Sequence, residues 1–151
     1  MNAISRIAAS LTLAVLVLSV GCDQDAVQKA ATANKDFINA LAAAQQTEIQ
    51  FHNPCTSPSV PAGCGEIDDT LHIAFQREFK ALAECSDAAG QAFAANNKVG
   101  AQTALNTCST SLQNLITNNA AGIKNANSKA AFTGILFSMQ TAVNTALAFL
   151  K

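Results

Sequence analysis

Residues 85–108 read CSDAAGQAFAANNKVGAQTALNTC. The two flanking cysteines stand at equal distances from the Asn96-Asn97 pair, their midpoint being 96.5. Adjacent asparagines interrupt an Ala-rich stretch and favour turns over helix interiors, so they predict a reversal there. Upstream, Ile67, Leu71, Phe75, Glu78, Leu82, Cys85, Ala89 and Phe93 recur in steps of three and four. Downstream, Ala101, Leu105, Cys108, Leu112 and Leu115 do the same. Each cysteine falls on the apolar seam of its helix. Residues equidistant from the turn of an antiparallel helical hairpin sit at the same height. A disulfide needs Cα atoms roughly 4.4–6.8 Å apart, which facing seam positions reach. The stretch therefore predicts two antiparallel helices bridged by Cys85–Cys108. Gly90 lies inside the second helix, and close helix packing is its expected reason.

Working outward, the segment near residues 24–52 has no Gly and no Pro and carries a seam of Val27, Ala31, Asn34, Ile38, Leu41, Ala44 and Glu48. It predicts one long helix. All three prolines of the chain lie between Pro54 and Pro61. Proline ends helices, so residues 52–65 form a loop, closed at its base by Cys55–Cys64. Glu66, Asp68 and Asp69 suit the positive start of the next helix. Residues 117–127, rich in Asn and holding Gly122, read as the third connection. Ser128 is the expected N-cap of a last helix with the strongest apolar face: Phe132, Ile135, Leu136, Met139, Val143, Leu147 and Leu150. No strand pattern competes. The expected fold is all-α, an antiparallel four-helix bundle of rods about 45 Å long, with two disulfides.

Composition agrees. The chain has 151 residues, 50% hydrophobic and only 5% aromatic, with 31 alanines and no Trp or Tyr. One domain fits that length. A formal net charge of −1 argues against a nucleic-acid partner, which requires a basic face. With 13% charged residues the chain is a poor fit to disorder. Outside the N-terminus no run of about 20 apolar residues suggests a polytopic membrane protein.

The first 22 residues read as an address. Arg6 is their one charge, and an apolar run extends from Ile7 to Val20. Its strongest part, Leu11 to Leu18, is too short for a stable span and has the form of a secretion signal. The run closes Leu18-Ser19-Val20-Gly21-Cys22, which resembles the lipobox of bacterial lipoproteins, with Gly21 before the cut and Cys22 after it. Ser19 stands where that family favours Leu, and Leu18 lies one place early. The resemblance implies a removed signal of residues 1–21, lipid on the Cys22 thiol, acylation of the new N-terminus and a single mature domain, 22–151. Several acyl chains make such an anchor lasting. Asp23 resembles the enterobacterial signal for retention in the inner membrane, the outer membrane being the alternative. Without Arg6 the mature chain carries 8 basic and 10 acidic side chains, a net of −2.

This also settles an odd cysteine count. Of five cysteines, Cys22 goes to lipid, and Cys55, Cys64, Cys85 and Cys108 remain as an even set for an oxidising compartment. Four cysteines allow three pairings, and the helical pattern selects the two given above. Spacings of Cys-x₈-Cys and Cys-x₂₂-Cys, without C-x-x-C, do not suit zinc.

Chemistry is sparse. Two histidines, His52 and His72, have no Cys, Ser or carboxylate beside them in an arrangement that calls for a base. They read as a helix-end cation and a boundary residue. The four glutamates lack the Glu-x-x-His pairs of di-iron bundles. Glu48 and Glu78 fall on seams and would be functional carboxylates if buried; edge positions are the simpler expectation. No cofactor or metal is expected. The expected function is a non-enzymatic, lipid-anchored module facing the periplasm of a Gram-negative envelope and binding another envelope protein. Its contact surface would use Val60 in the tied loop and Asn118, Asn119, Asn125 and Asn127 near one end of the bundle. Three alternatives stand beside it. One is a small-molecule carrier with a cavity between helices. Another is a phage or plasmid exclusion or toxin-immunity lipoprotein. The third is an enzyme or redox protein using Glu48, Glu78 or the cysteines.

Overall fold

The computed structural model describes residues 3–55 and 63–151, with side chains described from residue 25 onward. Four α-helices follow one another: α1 (Ala3–His52), α2 (Asp69–Ala94), α3 (Lys98–Asn114) and α4 (Ala126–Phe149). A π-helical turn at Leu115–Asn119 and a 3-10 turn at Ala120–Gly122 join α3 to α4. Consecutive helices pack side by side and α4 closes against α1, which makes an antiparallel bundle. Among the described residues there is no strand.

Two helices depart from the expected lengths. The first begins at Ala3 rather than near residue 24. No proline precedes Pro54, and a lone Gly21 costs too little, about 1 kcal/mol, to stop a helix. In contrast α3 has only 17 residues, about 25 Å, because the π and 3-10 turns take up its C-terminal side.

Asn96-Asn97 makes the predicted turn. Asn96 takes the left-handed conformation, φ 52°. Its N–H donates to the Phe93 carbonyl, and Asn97 N–H donates to the Ala92 carbonyl. These two bonds satisfy the orphan carbonyls at the end of α2 in a Schellman motif. Asn97 then caps α3, its Oδ1 accepting from Gly100 N at 2.9 Å. Replacing Asn97 by Ala leaves that donor unpaired, and urea unfolding should show a loss of about 1 kcal/mol. An unchanged midpoint would mean that the cap contributes nothing.

Both predicted disulfides are present. Cys55 and Cys64 have Cα atoms 5.3 Å apart, and Cys85 and Cys108 5.5 Å. At the base of the proline loop, Gly63 and Gly65 have φ of 92° and 66°, conformations that glycine adopts without strain. Lys124 N–H donates to the Glu66 carbonyl, and Glu66 Oε2 accepts from Asn125 N at 2.8 Å. The loop base is thereby sewn to the start of α4. That helix is capped by Asn125, whose Oδ1 accepts from Asn127 N and Ser128 N, and not by Ser128. The chain is still extended at Asn125, with ψ 129°, so the cap falls three residues before the expected one and the helix starts at Ala126.

The core is built from a few large side chains among many alanines. Phe37, Phe75, Phe79 and Phe132 are fully buried. The Phe132 ring stands edge-on to Phe75 at 5.3 Å and tilted to Phe51 at 5.9 Å, which ties α4 to α2 and α1. Ala30, Ala44, Ala89, Ala101 and Ala146 are also fully buried and bring the helices close. By length and composition α4 could cross a membrane, its 18-residue window having a mean hydropathy of 1.2. Its Phe132, Leu136, Met139, Val143 and Ala146 nevertheless face the bundle core.

Candidate functional site

Three features stand out on this frame: an apolar trough, a histidine–carboxylate cluster, and an uncharged helix face. The trough lies between the part of α1 after Val27 and the C-terminal end of α2. It has a volume of about 720 Å³, within the usual range for small-molecule sites. Val27, Ala31 and Ile38 form one wall, and Gly90, Phe93 and Ala94 the other. Gln28, Lys35 and Asn96 add polar groups, Lys35 being the one charged side chain among the described lining residues. Gly90 is not there for close packing, contrary to expectation. A Cβ built on it meets nothing within 4 Å. Its effect is to leave the trough open. Asn34, also on the trough, is 4% exposed; its Nδ2 donates to the Ser86 carbonyl at 3.3 Å, while its Oδ1 has no partner.

At the opposite end of α1 the two histidines meet two carboxylates, which the sequence did not show. Glu48 is fully buried rather than at an edge. Its Oε1 accepts from His72 Nδ1 at 2.5 Å and its Oε2 from Gln76 Nε2 at 2.7 Å. One turn further along α1, His52 Nε2 donates to Asp69 Oδ1 at 2.8 Å. The two imidazoles stack, centroids 3.9 Å apart and planes within 9°. A carboxylate can only accept, so in the neutral rings these bonds place the proton on His72 Nδ1 and on His52 Nε2. An imidazole oriented by a carboxylate is the geometry of a general base. Among the described hydrogen bonds, however, neither ring meets a hydroxyl or thiol. Parallel rings do not converge on one ion, and the described residues contain no group of three or more potential metal ligands in a binding arrangement. What the cluster does is brace α1 against α2. Glu78 takes no part. It lies at the edge of α2, 16% exposed, the simpler of the two expectations, and Phe79 beside it is the residue that enters the core.

The third feature is the outer face of α4. Gly134, Phe137, Ser138, Thr141 and Thr145 are exposed, and Phe137 is 57% exposed. Between Ala130 and Leu150 there is no charged residue.

The expected contact residues fare unevenly. Asn118 and Asn127 are exposed. Asn125 is exposed too, but its side chain is engaged as the α4 cap. Asn119, the last residue of the π-helical turn, is 7% exposed. It is therefore not a surface contact. Val60 and the side chains of Cys22 and Asp23 lie outside the described residues. Comparison of the chain with protein-family models, with curated proteins and with solved structures finds no match.

Proposed function

We propose that this protein is a lipid-anchored module facing the periplasm that binds another envelope protein and carries out no catalysis of its own. The anchor rests on the resemblance of Ser19-Val20-Gly21-Cys22 to a lipobox, with Asp23 leaning toward the inner membrane. The binding role rests on one observation, the uncharged outer face of α4 around Phe137. Exposed aromatic surface without charges is what protein interfaces place at their centre. The Asn-rich connection at one end of that helix adds amides, which cost less to desolvate than charges. Nothing in the cluster around His72 supplies a nucleophile for catalysis.

A photo-crosslinking residue at position 137 of the full chain, expressed in a Gram-negative envelope, tests this reading. One discrete, saturable protein adduct is expected. Phe137→Ala should weaken that partner roughly tenfold, the loss of a modest hot spot. Adducts with lipid alone, or an affinity unaffected by Phe137→Ala, would refute the proposal.

The trough favours a second reading, a carrier of a small amphipathic molecule. The two readings are compatible, since the trough and the α4 face lie on different parts of the bundle.

A further inference from the structure

We infer that the trough between α1 and α2 binds a single long alkyl chain ending in a carboxylate, that is, a long-chain fatty acid. The inference deepens the carrier reading, and it rests on the lipid anchor only for how the ligand arrives. Three observations carry it. The lining is mixed, with its apolar part aliphatic and aromatic: Val27, Ala31 and Ile38 face Gly90, Phe93 and Ala94. Gln28, Asn34, Lys35 and Asn96 supply the polar groups. The α1 wall runs from Val27 to Ile38, about 16 Å along the helix, a length of the order of an extended alkyl chain, and the shorter α2 wall covers part of it. A volume of about 720 Å³ is of the size that holds one small amphiphile.

The second observation is Gly90. A glycine in a helix interior is unfavourable, and here no neighbour requires it. Any larger side chain at this position would project into the trough. Ile38, 43% exposed, is likewise an apolar side chain that solvent covers and an alkyl chain would shield. The third observation is charge. Lys35 is the one charged group among the described lining residues, so a head group held there is anionic. Placement fits the source. Val27 lies five residues after Cys22 on the same helix, so an anchored protein holds the Val27 side of the trough near the bilayer from which such acids partition.

The test uses the full chain in lipid nanodiscs and a long-chain fatty acid carrying a diazirine. Light should attach the probe to α1 within residues 27–38 and to α2 within residues 90–94, and unlabelled fatty acid should compete. Gly90→Leu fills the trough and should cut this labelling roughly tenfold, the effect of losing about two buried methylenes. Its unfolding midpoint should be unchanged or higher, which separates lost binding from lost folding. Lys35→Gln should weaken labelling by the acid but not by the matching fatty alcohol. Labelling that ignores Gly90→Leu, or that treats acid and alcohol alike in both proteins, would overturn the proposal. The anchor is read separately, from the mass of the Cys22 peptide. An unlipidated Cys22 with trough labelling intact would remove the anchor and leave this inference standing.

Discussion

Replacing Cys85 and Cys108 together by alanine should lower the unfolding free energy by about 3.4 kcal/mol, and replacing Cys55 and Cys64 by about 2.6 kcal/mol or less. The difference follows from loop length. The first bridge closes a separation of 23 residues and the second only 9, so the first removes more freedom from the unfolded chain. Location sharpens the contrast. Cys85 and Cys108 sit in the core, 6% and 0% exposed, on helices that also bury Leu82, Ala89, Ala101, Leu105 and Leu112. The Cys55–Cys64 loop is already held at its base by Gly65 N–H donating to the Asn53 carbonyl and Glu66 N–H donating to the Phe51 carbonyl. Those bonds remain when the bridge is gone. Urea denaturation of the two double variants beside the parent chain measures both effects. Equal midpoints in the two variants would refute the loop-length account.

That hairpin was legible because one measurable relation, equal distance from Asn96-Asn97, fixed register as well as direction. No such relation links α1 to α2. Residues 53–68 separate them, and a loop of that length leaves the register free. His72 and Glu48 are 24 residues apart in the chain, and nothing in their local sequence brings them together. Face assignment failed for a different reason. Alanine is apolar enough to count on either side of a helix, so in α1 the row through Ala31 and Ile38 looked as good as the row through Ala30 and Phe37. The structure buries Phe37 completely and leaves Ile38 43% exposed. The same one-residue ambiguity put Glu78 in the seam row of α2, whereas the buried residue is Phe79. In both helices the aromatic ring decided, because a Phe gains more from burial than its neighbour does. Gly90 illustrates the limit from the other side. A glycine at a helical position signals that a side chain is unwelcome, but only coordinates tell whether backbone or empty space is the cause.

The brace between α1 and α2 leads to the second large effect. His72→Phe should destabilise the protein by about 3 kcal/mol, whereas Glu48→Met should cost about 1 kcal/mol. The asymmetry comes from burial. Glu48 is fully enclosed, and each carboxylate oxygen receives one hydrogen bond. Phenylalanine can keep the stack against His52, but it removes the donor from Oε1 in a place water does not reach. A buried carboxylate without its donor is costly. The reverse change is milder, because methionine fills the same space without charge. His72 is 28% exposed and Gln76 is exposed, so their freed polar groups can turn to water. Glu48→Met introduced into the His72→Phe protein should therefore restore part of the loss, since it removes the stranded charge. A double-mutant cycle in urea reads this directly as a coupling energy of the order of 1–3 kcal/mol. Strict additivity of the two substitutions would mean that Glu48 and His72 do not depend on one another. The bond between them would then not be the link that sets how α1 lies on α2.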